Sequence, residues 1–164
     1  MISADALFRI GDAAEDAGDL DLALRSFQRG AELEDEACLS RLAYLHDEGH
    51  GVRPNKKRAL RLYLKAWRNG SHVAANNIAI LYREIGNARG MVRWFTRAID
   101  RNDDGARIEV AKLYLSGDGV EQSADIASRH LAAALSSVHL SEMEREEAEA
   151  LRDRLRPRIV VNDS

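Results

Sequence analysis

The 164-residue chain has one cysteine, two prolines, few aromatic residues and no long apolar run. Each scarcity excludes a class of protein. Cys38 has no partner for an internal disulfide and cannot build a cysteine cluster, which fits a reducing compartment. No stretch approaches the ~18 apolar residues of a spanning helix. The opening Met-Ile-Ser-Ala-Asp-Ala-Leu-Phe-Arg lacks the basic and apolar regions of a secretory signal. The expectation is a cytoplasmic protein with no membrane segment. With 45% apolar, 31% charged and only 5% aromatic residues, the composition argues for a helix-rich protein and against a sandwich, a barrel or disorder. A chain this long buries roughly 70% of its extended surface and needs no covalent staple.

The net charge of −3 conceals a division. Residues 1–36 carry ten acids and three bases, residues 37–104 six and thirteen, and residues 105–164 eleven and eight. No acid lies between Gly49 and Arg83, while Arg53, Lys56, Lys57, Arg58, Arg61, Lys65 and Arg68 all do. Such a block pairs with the acidic first segment, faces an acidic partner, or forms a solvated helix face. Only Lys56, Lys57, Lys65 and Lys112 are lysines, and the dominance of Arg fits a GC-rich bacterial genome.

Self-similarity decides the architecture. An aliphatic residue followed by a small one recurs at Ile10-Gly11, Leu42-Ala43, Ile78-Ala79 and Val110-Ala111, at spacings of 32, 36 and 32. A slim residue followed four positions later by a bulky one recurs at Ala23/Phe27, Ala59/Tyr63, Met91/Phe95 and Ala127/Leu131, at spacings of 36, 32 and 36. The alternation has one cause: the two markers stand 13 apart in the first and third units and 17 apart in the second and fourth. The extra residues coincide with Gly49-His50-Gly51-Val52 and Gly117-Asp118-Gly119-Val120, which suit a helix ending on a left-handed residue before the chain turns. Gly18-Asp19 and Gly86-Asn87 mark the shorter turns.

Each unit therefore reads as helix, glycine-marked turn, helix. Leu42, Leu45, Leu60, Tyr63, Leu64 and Trp67 fall at helical spacings, and Ala43, Ala59, Ala66, Ala79, Ala98, Ala111 and Ala127 stand where helices approach closely. Gly90 is expected to interrupt the second helix of the third unit. Ser141-Glu142-Met143-Glu144 has the form of a capping box opening a final helix with Met143, Leu151 and Leu155 on its apolar face. The expected fold is all-α: one solenoid domain over 1–164, with helix-turn-helix repeats at about 3–36, 37–72, 73–104 and 105–140, a capping helix at about 141–156 and a frayed tail at 157–164 after Pro157 closes the helix.

These residues resemble the Sel1-like repeats, a subclass of the tetratricopeptide superfamily. The second unit, Leu42-Ala43-Tyr44-Leu45-His46-Asp47-Glu48-Gly49-His50-Gly51-Val52 with Asn55, Arg58-Ala59, Leu62-Tyr63 and Lys65-Ala66, follows that pattern closely. The fourth repeats it through Val110-Ala111-Lys112-Leu113-Tyr114, Gly117-Asp118-Gly119-Val120, Ala127 and Ala134, with His130-Leu131 where the family has Trp-Tyr. Units one and three are similar to plain tetratricopeptide repeats. The resemblance implies a right-handed α-α superhelix that binds protein or peptide on its concave face as an adaptor, with no enzymatic activity.

Other chemistry finds little support. His46 and His50 superficially match a zinc pair on one helix face, but Gly49 ends the helix between them, so no metal site is expected. No phosphate-binding glycine loop is present, and no cofactor is expected. Acids at Glu34 to Glu36 beside Cys38 make its thiol a poor nucleophile and favour a packing role. Lys56, Lys57, Arg61, Lys65 and Arg68 share one stripe that could meet phosphates, but aromatic interleaving is poor, so nucleic-acid binding through 53–68 is the lesser reading.

On the superfamily's geometry the concave wall is expected at first-helix positions two before, two after and five after each marker. These are Phe8, Asp12 and Glu15; Ser40, Tyr44 and Asp47; Asn76, Ile80 and Arg83; and Ile108, Lys112 and Leu115. Tyr44 is the expected anchor. The leading function is a cytosolic interaction module. Alternatives are an immunity or inhibitor protein covering a toxin or effector, a nucleic-acid binder, and a hydrolase on a repeat scaffold.

Overall fold

A computed structural model describes residues 2–155. Among the described residues there are nine α-helices and no strand: α1 (Ala4–Asp16), α2 (Leu20–Glu32), α3 (Glu36–Glu48), α4 (Lys56–Arg68), α5 (Ala74–Glu84), α6 (Ala88–Ile99), α7 (Asp104–Ser116), α8 (Ala124–Leu135) and α9 (Glu142–Leu155). The architecture is all-α, as the repeat pattern predicts. The expected tail, with Pro157, lies outside the described residues.

Local chemistry sets the helix starts. The side chains of Ser3, Asp19, Asp35, Asn55, Asn87, Asp103 and Ser123 each accept the backbone N–H three residues on, which supplies one of the amides a helix start leaves unpaired. Only α5, entered from Val73, lacks such a bond among the capped helices described. The predicted box before α9 is present: Ser141 N–H and Oγ–H both donate to Glu144 Oε2, and Glu144 N–H donates to Ser141 Oγ. Gly49 and Gly117 end α3 and α7 in the left-handed conformation, at φ 81° and 78°.

Two sequence expectations need correction. Helix α6 runs unbroken through Gly90, because Gly90 lies in the first turn and its N–H is taken by Asn87 Oδ1 at 2.9 Å. Met143 is exposed; Ala148 is the buried residue of α9, with Leu151 and Leu155 packed beside it. The α9 face follows spacings of three and four from Ala148, and Met143 falls off it.

The chain forms two compact units, residues 1–85 and 86–164. In the first, α1 packs on α2, α2 on α3, α3 on α4 and α4 on α5. Phe27, Cys38, Leu39, Leu42 and Leu45 fill its core between Ala23, Ala31 and Ala66. Gly30 lets Cys38 approach: a Cβ added there would stand 2.2 Å from the Cys38 sulfur. In the second unit α6 packs on α7, α7 on α8 and α8 on α9, and Ile108, Ala111, Ala127, Leu131, Ala134 and Ala148 form the core. All seven alanines expected at close approaches are fully buried.

The two long turns are built alike. Gly51, at φ 69°, would press a Cβ to 2.8 Å of the Cβ of Leu20, the first residue of α2. Gly119, at φ 75°, would press one to 2.8 Å of the carbonyl oxygen of Ala88, the first residue of α6. The second glycine of each Gly-x-Gly-Val is thus the point where a long turn rests on the start of the previous unit's second helix.

Candidate functional site

In the first unit, α1 carries Phe8, Asp12 and Glu15 at spacings of four and three, hence on one face. α3 presents Arg41 and Tyr44 toward that face. Arg41 Nη2 donates to Glu15 Oε2 at 2.6 Å and lies 3.8 Å from Asp12 Oδ1. Its guanidinium stands 5.5 Å from the Tyr44 ring centre and 6.0 Å from that of Phe27, within reach of cation–π attraction. Phe8 meets Phe27 at 5.9 Å in a tilted pair. Beside this cluster opens a cleft of about 230 Å³, walled by Phe8 of α1, by Glu36, Ala37, Ser40 and Arg41 of α3, and by Ser71, His72 and Val73 before α5. The arrangement joins an apolar floor to one fixed guanidinium flanked by carboxylates, a combination that seats and orients side chains.

Of the other expected wall residues only Ser40 borders this cleft; it is buried, donates its hydroxyl to the Glu36 carbonyl at 2.8 Å and shares a hydrogen bond with Ser71 Oγ at 3.0 Å. Asp47 is buried and accepts from Lys56 Nζ at 2.5 Å, while Lys56 also reaches Glu84 at 2.7 Å. Burial works against the Lys56 ammonium, but the hydrogen bonds of both carboxylates outweigh it and hold its pKa above the ordinary lysine value. Asn76 and Ile80 are half-buried on α5 and Arg83 is exposed.

In the second unit Ile108 is buried in the core and Leu115 packs against it. Lys112 Nζ bridges Glu109 at 2.6 Å and Glu147 of α9 at 2.5 Å. Burial opposes its charge, yet the two carboxylates raise its pKa. Of the expected wall, Phe8, Asp12, Glu15 and Tyr44 come together, and they do so around Arg41. Sequence reasoning passed over that residue. The available signal was an arginine one position before the marker of a unit whose predecessor carries acids two and five positions after its own.

The histidines part as the glycine turn requires. His46 is buried in α3 with both ring nitrogens unpaired among the described residues; burial, then the charge of Arg58, lowers its pKa. His50 lies past the helix end, edge-on to Tyr44 at 5.4 Å. Cys38 is buried, and burial first, then the hydrogen bond and charge of Asp35, push its thiol up to about 12. It is a packing residue and not a nucleophile.

The family described as Sel1 repeat matches residues 37–71 and 105–136, the spans of α3–α4 and α7–α8. The chain carries two Sel1 repeats. Its matched repeats are the two with the long glycine turn; α1–α2 and α5–α6 lie outside the matched spans. Among solved structures, the Sel1-like chain is similar to a Sel1 repeat protein from Oxalobacter formigenes, at TM-score 0.75 and 20% identity, over 92% of this chain and 73% of that one. It is similar to c5321, a protective antigen of uropathogenic Escherichia coli strains with an SLR fold, at TM-score 0.71 and 18% identity, over 93% of this chain and 45% of that one. It also resembles MamA, at TM-score 0.61 and 19% identity, over 93% and 85%. The Sel1-like chain thus spans less than half the length of c5321. Similarity at these identities concerns the fold. No curated protein matches the sequence. Sel1-like and tetratricopeptide-like repeats are in general protein-interaction scaffolds. No described helix is long and apolar enough to cross a membrane.

Proposed function

We propose that this Sel1-like protein is a non-enzymatic cytosolic interaction module that holds a segment of a partner protein in the cleft between α1 and α3. The supporting observation is Arg41, fixed by Glu15 and Asp12 beneath the Tyr44 ring at the edge of an open, mainly apolar cleft. Aromatic side chains and arginines are the residue types that most often carry the energy of protein interfaces. Tyr44 and Arg41 are both ordered before binding, so association need not supply that entropy.

The test is affinity purification from the native host, comparing wild-type with Tyr44→Ala and Asp12→Arg. The expected result is a protein enriched by wild-type and depleted about tenfold or more by either variant, the size of a modest hot spot, with helical circular dichroism unchanged. Equal recovery on all three baits would overturn the assignment of the cleft.

A further inference from the structure

The exposed face of α4 is a second surface, unrelated to the cleft. Ala59, Tyr63 and Ala66 bury one side of this helix, and Lys57, Arg61 and Arg68 lie along the opposite side. On several other helices surface cations pair with an acid of the same helix: Arg9 with Asp5, Arg107 with Asp104, Lys112 with Glu109 and Arg129 with Asp125. On α4 this is impossible, because no acid occurs between Gly49 and Arg83. Two cations of the helix are satisfied from outside it, Lys56 by Asp47 and Glu84, and Lys65 by Glu34 at 3.1 Å. Arg53, Lys57, Arg58, Arg61 and Arg68 have no ion-pair partner among the described residues.

This arrangement opposes the helix. Lys56, Lys57 and Arg58 crowd its first turn, where the backbone dipole disfavours positive charge. Lys57 and Arg61 repel at a spacing of four. A polypeptide that keeps such repulsion on an otherwise well-capped, well-packed helix has a surface whose electrostatic complement lies outside itself.

The strip is also short. Carboxylates flank it, Asp47 and Glu84 at Lys56 and Glu34 at Lys65. From Lys57 to Arg68 it extends about 16 Å at a rise of ~1.5 Å per residue. A nucleic-acid duplex has a charge every ~1.7 Å without end and would run onto those carboxylates. Single strands would find no exposed aromatic ring on α4 to stack on, and a bilayer no large exposed apolar side chain there to anchor in. We infer that the exposed face of α4 docks a short acidic segment of a partner protein, about three helical turns long, through Lys57, Arg61 and Arg68.

The experiment uses the full chain and a fluorescein-labelled helical peptide of about 16 residues, with glutamates on one face at spacings of four and seven. Anisotropy is followed in about 50 and 200 mM salt. The expected result is binding at low salt that weakens at least tenfold in K57E/R61E/R68E and in the milder K57Q/R61Q/R68Q, stays unchanged in Tyr44→Ala, and is at least fivefold weaker for an isomeric peptide with its glutamates scattered. Failure of the peptide to bind, or equal binding by the glutamine variant or by the scattered isomer, would overturn the inference. So would tighter binding to a DNA duplex or to phosphatidylserine vesicles. Concentration-dependent self-association abolished by the same substitutions would replace the acidic partner with a second copy of the chain. The Tyr44→Ala arm separates this surface from the cleft, so either can fail alone.

Discussion

Glu15 of α1 accepts a hydrogen bond from Arg41 of α3 at 2.6 Å, joining the first helices of two successive repeats. The carboxylate is 14% exposed and the arginine 35%, so the pair is partly shielded from water while its cation stays at the rim of the cleft. Glu15→Gln and Arg41→Gln should each lower unfolding free energy by roughly 1 kcal/mol, the value of a charged hydrogen bond discounted for solvent screening. A double-mutant cycle by urea denaturation checks this. Additive losses would show that the two residues do not act together.

The glycine turns give an ordered prediction. At Gly119→Ala the new methyl meets the backbone of Ala88, which cannot move aside, whereas at Gly51→Ala it meets the Leu20 side chain first. Both residues also hold a positive φ. Losses of about 1–3 kcal/mol are expected at each, larger at Gly119. Gly18→Ala, where open space surrounds the added carbon, should lose least. Thermal or urea unfolding of the three variants tests the order.

Acid should destabilise the protein through two shielded imidazoles, the buried His46 and the half-buried His130. His46 and His130 have pKa values below the ordinary 6.5, each through burial first, then neighbouring arginines. Protonation therefore favours the unfolded chain. The stability is complete above 6.5 and declines as the pH falls through that value toward the lower folded ones. Urea midpoints at about pH 7.5 and 5 should show the decline. His46→Leu should reduce it, and an undiminished decline in that variant would contradict a role for His46.

Cys38 should resist thiol reagents. With its pKa pushed up to about 12 and its sulfur buried, little thiolate exists near neutrality. Modification by a disulfide reagent at about pH 8 should be at least ~100-fold slower in the native protein than in urea. Comparable rates would mean that the first unit opens readily around Gly30.

Much of the fold was legible because repeated constraints leave repeated residues. Leu42, Ile78 and Val110 sit in cores, and the glycine pairs sit at long turns, as spacing alone predicts. Gly90 misled because propensity treats every glycine in a helix alike, whereas a first-turn position capped by Asn87 tolerates one. The cleft was half legible. Fixed offsets from a marker pointed to Phe8, Asp12, Glu15 and Tyr44, which the fold gathers around Arg41, and equally to Ile108, which the core buries, since an offset carries no information about which way a helix is rotated on its neighbours. Arg41 escaped because its role depends on a partner 26 positions away.

The contacts of Gly51 with Leu20 and of Gly119 with Ala88 are displaced by the same 68 positions, Leu20 to Ala88 and Gly51 to Gly119. A long turn therefore needs a short-turned repeat just upstream to rest on. Lengthening such an array by tandem duplication would succeed by copying two repeats together. Copying one would leave a glycine seat facing the wrong helix start, so the heritable building block of this molecule is the pair.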